Sequence, residues 1–153
     1  MANTYTQMYA QIVFAVTGRD NLIHEKHRDM IEKYICGIII NNKCKPLAIF
    51  CNPDHTHVFI GLHPTIAVSA ITEAIKSNSS RFISEKKLTQ SKFSWQDGYG
   101  AFTYSRSQIN SVVRYILNQP AHHLKLTFRE EYLHMLQRSA IEYDEKYLFK
   151  WIE

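Results

Sequence analysis

The stretch Asn52-Pro53-Asp54-His55-Thr56-His57-Val58-Phe59-Ile60 decides how this chain is read. Asn-Pro-Asp is a turn, and it leads into a strand from His55 to His63, rich in β-branched and aromatic side chains. Alternate side chains on a strand share a face, so Val58, Ile60 and Leu62 form one set and His55, His57 and Phe59 the other. Two imidazoles on one face can reach a single metal ion. The pair alone is more often two ordinary half-exposed strand histidines than a metal site.

Working outward, residues 5–17 alternate with Met8, Ala10, Ile12, Phe14 and Val16 on one side and Tyr9, Gln11, Val13 and Ala15 on the other. That pattern predicts a first strand with one core face. Helical spacing through Met30, Ile31, Tyr34, Ile35 and Ile38 predicts a helix over 24–42, ending at Asn41-Asn42. Leu47 to Cys51 reads as a second strand, pairing across the turn with the histidine strand. Pro64 is expected to open a helix that runs through Ile71, Ala74, Ile75 and Phe82. A polar stretch containing Trp95 and Gly98-Tyr99-Gly100 leads to a short strand at Ala101 to Ser105. Ser107 is a suitable cap for the next helix, and a last amphipathic segment spans Glu130 to Leu136.

The order β-α-β-β-α-β followed by helices is the split βαβ of an α+β, ferredoxin-like fold. An antiparallel sheet with added C-terminal helices is expected, as one domain over 1–153. The two crossover helices cover one face of such a sheet. The histidines are therefore expected to open onto the other face rather than into the core.

The second informative piece is Arg114-Tyr115-Ile116-Leu117-Asn118-Gln119. A phenol and an amide four residues apart lie one helical turn apart on one face. With the imidazole pair they supply two nitrogen ligands, an oxygen ligand in Gln119 and a nucleophile in Tyr115. This is equipment for metal-assisted phosphoester cleavage. His122 and His123 come soon after, beyond Pro120, which is expected to disturb the helix; their role stays open between structural, phosphate-contacting and metal-ligating.

Charge narrows the partner. Residues 1–75 carry six basic and six acidic groups, whereas 76–129 carry nine basic against two acidic, a net of +7. A polyanion, most simply nucleic acid, suits that block. Lys76, Arg81 and Arg106 are candidate phosphate contacts, and Tyr99, Phe102 and Tyr104 either stack on unpaired bases or fill a half-buried strand. No apolar run approaches the ~20 residues of a membrane span, and no signal peptide is apparent. No Gly-rich phosphate loop is present, so no nucleotide cofactor is expected. Cys36, Cys44 and Cys51 read as free thiols of a reducing cytoplasm.

Three segments together, His55-Thr56-His57, Trp95-Gln-Asp-Gly-Tyr-Gly-Ala-Phe102 and Tyr115-Ile-Leu-Asn-Gln-Pro-Ala-His-His123, resemble the single-tyrosine HUH transposases of small bacterial insertion sequences. These are related to REP-associated tyrosine transposases. The resemblance covers nearly the whole chain. It implies a bacterial cytoplasmic DNA transposase that cleaves and rejoins single-stranded DNA with hairpin ends through a 5′-phosphotyrosine. It further implies His55, His57 and Gln119 as ligands of Mg²⁺ or Mn²⁺, Tyr115 as nucleophile, and a homodimer. On that basis the sites are expected to be composite, with Tyr115 serving the neighbouring subunit's histidines. Thr56 departs from the family's usual hydrophobic residue. A domesticated relative nicking host repeat palindromes shares these motifs. A non-catalytic single-stranded nucleic-acid-binding module shares only the fold.

Overall fold

A computed structural model describes residues 3–152. Its sheet has four strands: β1 (Tyr9–Ala15), β2 (Lys45–Cys51), β3 (His55–Gly61) and β4 (Gly100–Tyr104). They lie in the order β2-β3-β1-β4, every neighbouring pair antiparallel. Helix α1 (Glu25–Asn41) joins β1 to β2 and α2 (Val68–Glu85) joins β3 to β4. Three further α-helices follow among the described residues: α3 (Ile109–Leu117), α4 (Gln119–His122) and α5 (Phe128–Arg138). The α+β, ferredoxin-like arrangement expected from the sequence is the one observed.

Register places Ile12 opposite Val58 and Val13 opposite His57. One face of the sheet therefore carries Ile12, Phe14, Val58 and Ile60, buried against Ile31 and Ile35 of α1 and Ile71 and Ile75 of α2. The other face holds two separate apolar clusters. Ala48, Phe50 and Phe59 pack under Val112 and Ile116 of α3. Val13, Ala15 and Phe102 pack under Phe128, Tyr132, Met135 and Leu136 of α5, with Phe149 closing the edge. Between these clusters runs a seam of buried polar groups.

Several boundaries differ from the sequence expectation, each for a local reason. β1 begins at Tyr9, because the strands on both sides stop pairing there: Tyr9 faces Gly61 on β3 and Tyr104 on β4. α2 begins at Val68 rather than Pro64, since residues 63–66 form a turn in which Ile66 N–H donates to the His63 carbonyl at 3.0 Å. Ser105, not Ser107, caps the single 3-10 turn (Arg106–Gln108) that leads into α3, through a reciprocal capping box with Gln108. The helix then stops at Asn118, and Pro120 lies in the first turn of a new one. Tyr115 and Gln119 thus sit on two helices instead of one.

Thr56 faces the α1/α2 layer, paired with Cys51 and away from the histidine side. All three cysteines are free, and burial pushes the Cys51 thiol up to about 12, which leaves it inert. Among the described residues, no helix is long and apolar enough to cross a membrane.

Candidate active site in the polar seam

β3 presents His55 and His57 into the seam, α3 presents Tyr115, and α4 presents Gln119. All but Tyr115 are fully buried. The histidine face is core, contrary to the expectation that it opens outward. α5 and the segment after it cover the face: His55 stacks on Phe128 at 3.8 Å between ring centroids, and Trp151 lies 5.4 Å beyond Phe128. Histidines tolerate such burial because every ring nitrogen finds a partner.

The common partner is Glu131, a residue that the sequence reading passed over. It is buried on α5 among Phe128, Tyr132, Met135 and Leu136, where spacing alone calls for an apolar side chain. A carboxylate on the buried stripe of an amphipathic helix was the available signal. The helix is aimed by a capping box, in which Thr127 Oγ1 accepts from Glu130 N–H at 3.2 Å. Glu131 Oε1 lies 3.2 Å from His55 Nε2 and 3.1 Å from His57 Nε2. Its other oxygen accepts from the Tyr115 hydroxyl and, at 3.0 Å, from Gln119 Nε2. His123 Nε2 approaches to 3.4 Å. One carboxylate thus joins both imidazoles, the phenol and the amide.

The outer nitrogens of the histidines are fixed as well. His55 Nδ1 bonds Asp54 Oδ1 at 2.7 Å, and His57 Nδ1 bonds Gln11 Oε1 at 2.7 Å. In a metal-binding histidine the outward N–H is held by an oxygen so that the inner nitrogen offers its lone pair. Both histidines have this form.

Charges obey the geometry. Burial opposes the carboxylate of Glu131, but hydrogen bonds from His123, His55 and His57 overwhelm it and hold the group far below the usual range. Burial lowers His55, yet Asp54 and Glu131 outweigh it, so its net shift is upward. For His57 burial wins and the shift is downward. Burial and the adjacent Glu131 charge push the Tyr115 phenol up, so it stays protonated and needs a proton acceptor to attack.

His55, His57 and Glu131 each offer one donor atom, all within 4.8 Å of one another. Two imidazoles and a carboxylate suit a divalent cation, which would replace the protons that now hold these like-facing nitrogens to one oxygen. Gln119, expected to complete the ligand set, instead has its amide oxygen accepting from Asn52 Nδ2 and His123 Nε2, both at 3.0 Å. Its nitrogen is the end that faces Glu131.

The structure separates the remaining candidates. Lys76 and Arg81 lie on α2, across the sheet from the seam. Lys76 Nζ donates to the carbonyls of Gln96 (2.7 Å) and Gly98 (2.8 Å), pinning a loop. Arg81 donates to Asn78 on its own helix. Arg106 is exposed in the turn before α3. Tyr99 is 38% exposed, whereas Phe102 is buried and unavailable for stacking. Tyr104 is half-buried, its hydroxyl accepting from Gln11 Nε2 at 2.8 Å.

Within one chain, the tyrosine already lies beside that chain's own histidines. The ten residues 105–114 between β4 and Tyr115 suffice for α3 to berth on its own sheet, through Val112 and Ile116. The Tyr115 ring comes within 6.0 Å of His57 of the same chain. A single chain assembles the whole constellation.

These features define a buried histidine pair and a tyrosine joined by a carboxylate on a ferredoxin-like sheet. The family model "Transposase IS200 like" matches residues 4–119, and the chain belongs to that family. Its fold is similar to that of a candidate transposase from Deinococcus radiodurans, with a TM-score of 0.60 at 18% identity, covering 78% of this chain and 95% of that one. It is also similar to a REP-associated tyrosine transposase bound to a REP hairpin, with a TM-score of 0.59 at 16% identity, covering 80% and 73%. No curated protein sequence matches the chain.

Proposed function

We propose that this chain cleaves and rejoins single-stranded DNA at hairpin ends by nucleophilic attack of Tyr115 on a phosphodiester. The observation that carries the reading is the convergence of both histidine Nε2 atoms and the Tyr115 hydroxyl on one carboxylate. His55, His57 and Glu131 would hold a divalent ion, Mg²⁺ or Mn²⁺, with Gln119 adjoining. When bound, the ion would polarise the scissile phosphate and offset the charge that develops there.

Glu131 divides the work between its oxygens. Oε1 faces the imidazoles and Oε2 holds the Tyr115 hydroxyl in place; as the phenol oxygen bonds to phosphorus, its proton passes to water. The bond to the 3′ oxygen breaks, that oxygen takes a proton from water, and a 5′-phosphotyrosine remains. A DNA 3′-hydroxyl can then displace the tyrosine and rejoin a strand, so no nucleotide is consumed. The REP hairpin held by the structural neighbour supports hairpin DNA as substrate, and such work belongs in a bacterial cytoplasm.

The test uses a REP hairpin and hairpins with randomised flanks, incubated with Mg²⁺ or Mn²⁺ and resolved under denaturing conditions. Wild type should form a covalent protein–DNA adduct; Tyr115→Phe should bind the same DNA and form none. An adduct with the Phe variant would overturn the assignment. Homodimer formation and site composition are tested by mixing Tyr115→Phe with His57→Ala. Sites built within one chain stay dead in the mixture, whereas restored cleavage would mean that α3 is exchanged between copies.

A further inference from the structure

A cavity of about 560 Å³ opens between α3 and α5 over the β1–β4 edge, and Tyr115 is in its wall. The cleavage chemistry leaves it unused. Its volume lies within the range of about 300–1,000 Å³ typical of small-ligand sites. Gln11 and Tyr104 form part of the floor, Gln108 and Ser111 line the α3 side, and Met135 and Arg138 the α5 side.

Two features say what such a cavity takes. Arg138 forms no ion pair and no side-chain hydrogen bond among the described residues. It lines the same cavity as Tyr104 and Tyr115. An unpaired guanidinium in the wall of a cavity that also holds a phosphate-attacking phenol is placed for a phosphate oxygen, which arginine binds in a two-pronged fashion. The half-buried Tyr104 ring and the Met135 thioether offer flat, polarisable surface for an unstacked base. The cavity floor is also wired to the metal ligands: Tyr104 hydroxyl accepts from Gln11 Nε2 at 2.8 Å, and Gln11 Oε1 holds His57 Nδ1 at 2.7 Å.

We propose that this cavity is a binding site for a single nucleotide next to the scissile phosphate, with its base against Tyr104 and Met135 and its phosphate on Arg138. The inference rests on the reading of Tyr115 as a DNA nucleophile. Filling the site would also steady Tyr104, and through Gln11 the orientation of His57, so that nucleotide seating and metal-ligand geometry are linked.

The experiment tracks amide resonances of the full chain while the four deoxynucleoside 3′-monophosphates and the four 5′-monophosphates are added separately at millimolar concentration. The 3′ series stands for the nucleotide that leaves and the 5′ series for the one retained on tyrosine. Expected are saturable shifts at residues 102–104, 111–115 and 135–139 with one series. Arg138→Gln, a change at an exposed position, should weaken that binding about tenfold, and Arg138→Lys should restore part of it. Shifts confined to the separate cleft lined by residues 52–54 and 126–129 would overturn the proposal. So would no shifts at all, or binding indifferent to Arg138→Gln. The DNA adduct is assayed on the same wild-type chain in parallel. Failure of the adduct with intact nucleotide binding therefore indicts the cleavage reading, and the reverse indicts the cavity.

Discussion

The two faces of the sheet solve different problems with the same strands. Toward α1 and α2, interlocking aliphatic side chains fill the space, and each contact is interchangeable in kind. Toward α3 and α5, two apolar clusters stand apart, and buried polar groups bridge the gap around Glu131. The first face needs only shape; the second needs particular partners, because a buried carboxylate or imidazole left alone is far more costly than a misfit methyl group. Stability should therefore reside mainly in one layer and chemistry in the other.

The largest expected effect breaks the shape side. Phe14 is fully buried, with its ring 4.7 Å from Trp95 in an edge-on contact. Phe14→Ala should lower unfolding free energy by about 3–5 kcal/mol. Adduct yield per folded molecule should hardly change, because the residue faces away from the seam. Denaturant titration alongside adduct yield checks both halves; a loss of chemistry without a loss of stability would show the two layers are not separable.

Next comes the partner side. Glu131→Gln keeps the shape and removes the charge. It should lower cleavage by about 100-fold or more, the range expected on losing a charged ligand that also positions the nucleophile. Mn²⁺ affinity, measured by electron paramagnetic resonance, should fall with it. Unchanged Mn²⁺ binding would leave the ion to the imidazoles and Gln119.

Acid titration distinguishes two carboxylates, one from each side. Glu32 of α1 accepts from Cys51 N–H at 2.9 Å, and burial pushes it up from 4.5. The native chain then binds the proton first, so Glu32 adds stability as pH falls from its folded value toward 4.5. Glu131 has the opposite sign. Its imidazole partners hold it below 4.5, so the unfolded chain takes the proton first and stability is lost as pH falls below that value. Metal-free Glu131→Gln should therefore lose less stability in acid than wild type, and Glu32→Gln should lose more. Parallel curves for the two variants would mean that the histidines are not holding Glu131.

This contrast also explains what could be read from the sequence. Alternation from Met8 to Val16, the Asn-Pro-Asp turn and the Val58-Ile60 stripe are local patterns, and they specified the sheet and its histidine face. Tyr115 was legible by its spacing to Gln119, even though Asn118 divides the helix that was to carry both. Glu131 was not, because its meaning depends on His55 and His57, more than seventy residues away. The burial of the histidines was hidden for the same reason: their cover comes from Phe128, Phe149 and Trp151, whose destination no local period reveals.

The smallest effect sharpens the comparison most. The shape side also contains a buried polar contact, Trp95 Nε1 donating to Ser79 Oγ at 3.0 Å, while Ser79 Oγ donates to the Lys76 backbone carbonyl at 3.3 Å. Ser79 is fully buried, but Trp95 retains 8% exposure at the rim of the layer. Ser79→Ala should lower stability by about 1 kcal/mol, the low end of the cost of a buried donor left without its partner. In a cycle with Trp95→Phe, the coupling should likewise be about 1 kcal/mol, and it should account for the pair without reference to any third residue. The seam should behave otherwise. Oε1 of Glu131 serves His55 and His57 at once, so the coupling of either histidine with Glu131 should change when the other is replaced by alanine. Denaturant curves for both sets of variants decide it. Histidine couplings that stay constant would reduce the seam to a sum of separate bonds, no different in kind from Ser79 and Trp95.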